Sequence, residues 1–244
     1  MSKLLLISAA LAASAASGHA QSLSANLVTN GSFDTPASRS ELINGSNLPG
    51  WTRGDTQSAG ASAYSVVYRS AAETRNTGAF LWPGAALFLH QNPEITASPD
   101  GGSFIAIDSD PTFRSAIQQT VTGLVPGRAY KLTFYYAASQ STTRTGATTE
   151  WWDVSFGSQT QRTEVLTVPR DAFSGWHMAT MTFVAAQASE VLSFQAGGGP
   201  SAYPPVSMLD GVSLSAAAPL TATAVAPAEL APLAADTRQR PKSR

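Results

Sequence analysis

Residues 123–137 constrain the fold of this chain more than any other part of the sequence. Pro126 and Gly127 suit a tight turn, because proline fixes one φ angle and glycine accepts a positive one. From Tyr130 onward, large apolar side chains occupy every second position, which is the pattern of a strand that buries one face. The segment contains no cluster of nucleophilic, basic or metal-ligating residues, so it indicates a fold class and no chemistry.

Segments of the same character recur along the chain between turn-rich stretches. Many short strands with Gly and Pro turns are typical of an antiparallel β-sandwich or barrel. Trp176 and Phe183 cannot face the same side of one regular strand, so we expect a β-bulge between them. The predicted strands are 26–33, 62–69, 104–108, 115–121, 130–138, 151–157, 160–168, 176–185, 190–196 and 206–215.

The two ends of the sequence differ from its centre. Residues 1–20 combine Lys3, an apolar run and a Gly-His-Ala cleavage site, and we expect a secretory signal peptide there. The apolar run is too short and too rich in Ala and Ser to span a bilayer. Residues 216–244 are rich in Ala and Pro and end in basic residues, which predicts a disordered tail without a membrane anchor. The sequence thus predicts an exported protein, periplasmic or extracellular, with one domain over residues 21–215.

Composition narrows the classes of partner. The net charge is −1 and only 13% of the residues are charged, so no basic field attracts nucleic acid or anionic lipid. Abundant Ser, Thr, Gly and aromatic residues suit a neutral polar partner such as a glycan. The same composition also suits a strand-rich fold that has no ligand.

Aromatic residues in loops or at strand ends form one set of candidate binding residues. Sugars present flat faces of C–H groups, and exposed aromatic rings are suited to stack on them. Each ring can instead anchor its loop to the sandwich, and Trp152 and Trp176, which begin regular strands, are expected in the core. The candidate ligand-binding residues are Trp51, Trp82, Trp151 and Tyr203.

Several motifs, in this order, resemble a known family. Residues 26–34 read NLVTNGSFD, residues 48–51 read LPGW and residues 209–214 read LDGVSL. Together with the strand at 127–134, they resemble galactose-binding-domain-like modules of the DUF642 type. The resemblance implies an all-β, two-sheet antiparallel β-sandwich of jelly-roll type. It implies the fold more strongly than a ligand, because the superfamily hosts many unrelated functions.

A narrower resemblance is to a group of exported bacterial proteins that often end in a PEP-CTERM sorting tail. It rests on LWPG at 81–84, SPDGG at 98–102 and TTEW at 148–151. The tail of this chain lacks the Pro-Glu-Pro motif, so we expect free secretion and no covalent sorting to the surface.

The resemblance also implies a metal site, because it places Asp34 and Asp210 beside neighbouring strands where many jelly-roll modules hold a structural Ca²⁺. Calcium takes roughly six to eight oxygen ligands, mainly carboxylates and carbonyls. Asn30 is the third expected ligand. The alternative is that each aspartate caps a turn of its own backbone.

Signatures of catalysis are weak in this sequence. Its histidines have no metal-ligand spacing. Asp108 with Asp110, and Glu150 with Asp153, are paired carboxylates of the kind that glycoside hydrolysis uses, but such pairs are also common as solvated acids at strand ends. We therefore predict a non-catalytic module that binds a polysaccharide, a cell-surface glycan or extracellular matrix. A structural or adhesive exoprotein is the alternative, and a carbohydrate-active hydrolase a more distant one.

Overall fold

This computed structural model describes residues 25–35, 48–56, 65–75, 89, 94–141, 146–201 and 205–218. In these ranges the chain forms eleven β-strands, one short 3-10 helix and no α-helix. The all-β fold expected from the sequence is therefore confirmed. The elements are β1 (Thr52–Thr56), β2 (Ser65–Tyr68), the 3-10 helix (Ala71–Arg75), β3 (Phe104–Asp108), β4 (Ser115–Thr122), β5 (Ala129–Gln140), β6 (Thr148–Phe156), β7 (Gln159–Arg162), β8 (Leu166–Val168), β9 (His177–Val184), β10 (Ser189–Gly199) and β11 (Pro205–Ala216).

The strands pair antiparallel in two sheets. The six-stranded sheet has the order β1-β4-β10-β6-β7, with β8 also paired to β6, and the five-stranded sheet has the order β2-β3-β11-β5-β9. Consecutive strands often belong to different sheets, as when the chain passes from β4 to β5 and then to β6. This is the crossing pattern of a jelly-roll sandwich.

Alternating apolar side chains of both sheets form the main core between them. The period-2 pattern that begins at Tyr130 is the inner face of β5, on which Phe134 is almost fully buried. Phe134 meets Phe194 of β10 edge to face, with ring centroids 5.1 Å apart. Phe194 meets Trp152 of β6 in the same way, at 6.2 Å. Trp152 is thus a core residue, as the sequence predicts.

A second, smaller hydrophobic cluster covers part of the outer face of the five-stranded sheet, over β2, β3 and the adjoining ends of β5 and β11. Trp176, half-buried, packs edge-on against Phe104 at 5.4 Å and donates its Nε1–H to the carbonyl of Thr96. We call this group the second cluster; its buried members are Val66, Tyr68, Leu89, Ile95, Phe104, Ala106, Ala137, Phe173, Val206 and Met208.

The predicted bulge between Trp176 and Phe183 is wrong. Trp176 precedes β9 and packs against the second cluster, whereas Phe183 belongs to the main core. The two residues therefore face different cores, and β9 pairs with β5 in unbroken register.

Two further differences concern predicted strands. Residues 26–33 are turns and irregular chain, although the Leu27 N–H donates to Leu214 of β11 and the Gly31 carbonyl accepts from Val212. The predicted strand 160–168 is divided into β7 and β8 by Thr163, which lies between the two strands. The Thr163 N–H donates to the Trp152 carbonyl, and the Thr163 hydroxyl oxygen accepts from the Trp152 N–H. β1 was not predicted from the sequence.

The described ranges contain no helix that is long and apolar enough to cross a membrane.

Candidate functional site

The outer face of the six-stranded sheet carries polar side chains in rows that cross the strands. In one row, each residue is the cross-strand partner of the next, and all are at least partly exposed. Adjacent strands lie about 4.8 Å apart, so this row spans roughly 19 Å. We call it the polar row; it consists of Thr52, Gln118, Ser193, Ser155 and Thr160.

The neighbouring row on the same face contains an ion pair. Gln195 of β10 opposes Asp153 of β6, which opposes Arg162 of β7. Arg162 donates from Nε to Oδ1 of Asp153 at 2.6 Å and from Nη2 to Oδ2 at 2.9 Å. These bonds raise the pKa of the Arg162 guanidinium above its ordinary value. Because the two charges cancel, the pair adds no net charge to this face.

Trp151 of β6 lies on this face beside the ion pair, opposite Gly197 of β10. Its half-buried indole lies across Gly197, where a Cβ atom would be 2.5 Å from ring atoms Cε2 and Nε1. The indole Nε1–H donates to Oδ2 of Asp153 at 3.1 Å, and Cζ of Arg162 lies over the ring, 4.7 Å from its centroid. The absence of a side chain at Gly197 therefore allows the ring to lie against the sheet.

The other predicted stacking residues have different outcomes. Trp51 is fully buried, packs against Phe33 with centroids 5.3 Å apart, and donates its Nε1–H to the carbonyl of Asn30. It presents no ring face to solvent, which corrects the expectation that it binds a ligand. Trp82 and Tyr203 lie outside the described residues.

The first predicted carboxylate pair belongs to the turn after β3. One carboxylate oxygen of Asp108 accepts the Asp110 N–H at 2.8 Å, and one of Asp110 accepts the Thr112 N–H at 2.7 Å. Burial raises the pKa of Asp108 to about 7; the bond from the Asp110 N–H opposes this shift, and the Asp110 charge adds to it. Both acids therefore serve local backbone structure.

The second predicted pair is divided between the two faces of β6. Glu150 and Asp153 are three positions apart, and an odd step along a strand reverses the side-chain direction. Glu150 points into the sandwich, is 1% exposed, and neither of its carboxylate oxygens makes a hydrogen bond of good geometry, although the Thr148 hydroxyl lies close by. Burial raises the pKa of Glu150 to about 8, opposed by the Thr148 hydroxyl. The two acids therefore cannot flank one glycosidic bond.

A second candidate site surrounds Asp210 of β11, which is fully buried on the side of the five-stranded sheet that carries the second cluster. Neither oxygen of its carboxylate makes a hydrogen bond of good geometry, although the Ser98 hydroxyl and the Gly211 N–H lie close enough to stabilise its charged form. Burial raises the pKa of Asp210 to about 8, and the charges of Asp100 and Asp34 raise it further, while the Ser98 hydroxyl and the Gly211 N–H oppose the shift. The fold thus brings Asp34 and Asp210, far apart in sequence, near each other.

The arrangement around Asp210 fits a cation in part. Asp34 accepts the Ser103 N–H at 2.7 Å, and Asp100 lies against Gly211, at which a Cβ atom would be 3.1 Å from that of Asp100. In the described ranges, no three acidic, histidine or cysteine side chains are grouped closely enough to hold a metal ion by themselves. Calcium sites also use carbonyl and hydroxyl oxygens. The carboxylate of Asp210, buried with no hydrogen bond of good geometry, is the observation that favours a cation.

Asn30, the third expected ligand, is used elsewhere. Its side-chain oxygen accepts from the N–H and hydroxyl of Thr35, and its side-chain nitrogen donates to the Pro49 carbonyl. Its backbone carbonyl accepts from Trp51 and Phe33. Asn30 therefore joins the segment at 25–35 to the segment at 48–56, and it is left out of the site around Asp210.

The polar row, Gly197 and Arg162 are not predicted from the sequence. The alternation of polar and apolar residues along β4 and β10 does indicate that Gln118 and Gln195 face away from the core. The sequence does not show the register between strands, which decides that these side chains lie side by side.

Comparisons with known proteins identify a family and a set of similar folds. The family model described as "Protein of unknown function (DUF642)" matches residues 89–215, just over half of the chain. No curated protein matches the sequence.

Among solved structures, the chain is similar to the enzymatically active domain of tailspike protein 4 from bacteriophage CBA120 (13% identity, 79% of this chain and 21% of that one, TM-score 0.41). The chain therefore spans about one fifth of that tailspike chain. It is also similar to TmCBM61 in complex with beta-1,4-galactotriose (12%, 80% and 100%, TM-score 0.44). A third is a putative sugar binding protein from Bacteroides thetaiotaomicron VPI-5482 (13%, 79% and 100%, TM-score 0.39).

Proposed function

This chain belongs to the DUF642 family, and we propose that it is an exported, non-catalytic module that binds a neutral polysaccharide or cell-surface glycan. The proposed binding surface is the outer face of the six-stranded sheet, with Trp151 and the polar row at its centre.

The observation that carries this proposal is the chemistry of that face. Its rows present amides and hydroxyls, which donate and accept hydrogen bonds as sugar hydroxyls do. The row of Gln195, Asp153 and Arg162 lies between the polar row and the indole of Trp151, and binding sites commonly combine aromatic surface with a few well-placed polar groups. The roughly 19 Å length of the polar row suits an extended chain of sugars.

A neutral ligand is proposed because the face itself is neutral. Its ion pair, Arg162 with Asp153, cancels, and the other members of the rows are uncharged. A non-catalytic role is proposed because Asp153 already accepts bonds from Arg162 and Trp151, whereas Glu150 points away from this face. Glycoside hydrolysis ordinarily uses two carboxylates on either side of one bond.

The proposal is tested by retention of the mature domain on insoluble and gel-embedded neutral polysaccharides, after a glycan-array screen. The variant Gln118→Ala/Gln195→Ala removes two amides from the face and should weaken retention several-fold. The matched control, Thr180→Ala/Thr182→Ala, changes exposed residues of β9 in the other sheet and should leave it unchanged. Failure of the unmodified domain to bind any neutral glycan would favour a structural exoprotein instead. Trp82 and Tyr203 stay predictions for additional stacking contacts.

Export is proposed from residues 1–20, and fractionation of cells that express the full chain tests it. The mature protein should be found in the periplasm or medium, beginning near Gln21. Full-length protein retained in the cytoplasm would contradict export.

We also propose a structural Ca²⁺ held by Asp210 and Asp34, with Asp100 as a further oxygen donor. A bound cation would compensate the buried charge of Asp210, whose oxygens make no hydrogen bond of good geometry, and would relieve the repulsion among three neighbouring acids. This ion would stabilise the loop at 94–103 against β11, and it would lie on the sheet opposite to the proposed glycan surface.

A further inference from the structure

The indole of Trp151, which the proposed function places at the centre of the glycan surface, has little free ring surface in the structure. Gly197 lies beneath it and the Arg162 guanidinium lies over it, 4.7 Å from the ring centroid. Its Nε1–H is bound to Asp153. A sugar cannot stack on the outward side of this ring while Arg162 remains in place.

Arg162 is held over the ring by interactions at both its polar edge and its flat face. Two hydrogen bonds fix the guanidinium to Asp153, and its Cζ lies over the aromatic ring, 4.7 Å from the centroid. Both interactions are partly exposed, since the side chains of Arg162 and Asp153 are 54% and 23% exposed. Exposed ion pairs and exposed cation–π contacts are individually weak, so the covered state is favoured only modestly.

We propose that Arg162 is a specificity-determining residue that competes with the glycan for the face of Trp151. This inference rests on the proposed function. In the free protein the guanidinium occupies the place where a sugar ring would stack, and binding requires it to move off the indole. A ligand that offers only weak contacts does not displace it, whereas an extended glycan that also bonds to the polar row does.

We call a molecule open when its Arg162 guanidinium is off the indole of Trp151. The expected change in glycan affinity follows from the fraction of open molecules. When only that fraction can bind, the apparent dissociation constant rises in inverse proportion to it. If roughly one molecule in three to one in ten is open, removing Arg162 strengthens glycan binding about three- to tenfold.

The covering of the ring is tested without any glycan, by hydroxyl-radical footprinting with tandem mass spectrometry. Arg162→Ala should increase the oxidation rate of Trp151 several-fold. The adjacent Trp152 is fully buried and serves as the internal reference, which should not change. Arg170→Ala is the matched control, because Arg170 is also exposed and paired with an aspartate, Asp171. An unchanged oxidation rate of Trp151 in Arg162→Ala overturns the inference.

Competition is tested by affinity electrophoresis in a gel that contains the neutral polysaccharide bound by the unmodified domain. Arg162→Ala should bind more tightly, and Asp153→Asn, which loosens the guanidinium, should change in the same direction by less. Arg162→Lys keeps the charge but loses the two-bond geometry that holds the guanidinium to Asp153, so it should also bind more tightly. Weaker binding by Arg162→Ala, with an exposed Trp151, would overturn competition and make Arg162 a direct glycan contact.

Failure of the proposed function has a separate signature. If Trp151 is uncovered in Arg162→Ala but neither the unmodified domain nor any variant binds a polysaccharide, the proposed glycan function fails and the competition fails with it.

Discussion

The outer faces of the two sheets differ in what covers them. On the five-stranded sheet, β2 and β3 are buried along their whole length, because the second cluster packs over their outer face. On the six-stranded sheet, β6 alternates between buried and half-buried residues, so one face remains accessible. The same sandwich therefore uses one outer surface for stability and leaves the other available for a ligand.

Changes on the covered face should alter stability and spare binding, whereas changes on the open face should alter binding and spare stability.

The largest effect is expected at Phe104 on the covered face. Phe104→Ala removes a fully buried ring that contacts Tyr68 and Trp176, and it should lower the free energy of unfolding by about 3–5 kcal/mol. Chemical denaturation measures this loss. Polysaccharide retention of the folded fraction should be unchanged. Retention that falls with unaltered stability would place the ligand on the covered face.

Glu150, whose side chain points into the sandwich, should make the free energy of unfolding depend on pH. Its pKa is raised from 4.5 to about 8 in the folded chain, so the folded state binds more protons over this range. The contribution of Glu150 to the free energy of unfolding is therefore greatest below about pH 4.5. It falls as the pH rises toward 8, by no more than about 1.4 kcal/mol per pH unit.

Glu150→Gln removes this titration while keeping the shape of the side chain. The variant should be more stable than the unmodified domain at pH 9 and differ little from it at pH 5. Denaturation at both pH values measures the difference. Identical pH profiles would show that Glu150 is solvated in solution. Retention on polysaccharide should be the same for both proteins, because Glu150 does not face the open surface.

Removal of calcium by a chelator should lower the stability of the domain through the covered side and leave the open face unchanged. An ion bound only by the folded state adds roughly 2.7 kcal/mol at a hundredfold excess over its Kd, so a chelator should lower the melting temperature. In Asp210→Ala the melting temperature should no longer respond to calcium or chelator. A response that persists in this variant would show that calcium binds at another site. If the melting temperature of the unmodified domain does not respond, the domain binds no structural calcium. Neither treatment should alter glycan retention by the folded protein.

The smallest change in stability is expected at Trp151 on the open face. Trp151→Ala should weaken polysaccharide retention by roughly 5- to 30-fold, equivalent to about 1–2 kcal/mol, because the ligand loses its aromatic surface. The melting temperature should stay nearly constant, since the indole is only half-buried. A loss of several kcal/mol of stability with intact retention would instead make Trp151 a packing residue, and the open face would lose its proposed centre.

Local pattern predicted much of the scaffold. β3 was predicted at its observed bounds, and β4, β5 and β11 to within one or two residues at each end. These strands combine a buried face with clear turn residues, and both signals are contained in short segments. Prediction failed for residues 26–33, where the apolar pattern suits a strand but the hydrogen bonds to β11 come partly from the Asn26 side chain.

The candidate surface could be predicted only in part. Trp151 was predicted as a stacking residue, and its burial is compatible with that role, but its neighbours Gly197 and Arg162 were not recognised. The placement of Glu150 and Asp153 on opposite faces could have been deduced, because it depends only on their odd spacing along one strand. Trp51 was misjudged, because a position beside a Pro-Gly turn does not reveal whether another segment encloses the ring.

The sequence by itself determined the all-β class, the alternation that forms the main core and the neutral character of the chain. These are set by side-chain period, turn chemistry and composition, all of which are local or additive. Only the tertiary structure decided which outer face is covered and that Arg162 lies over Trp151. The reason is that cross-strand register and the packing of loops join residues distant in the chain, and no short segment carries that information.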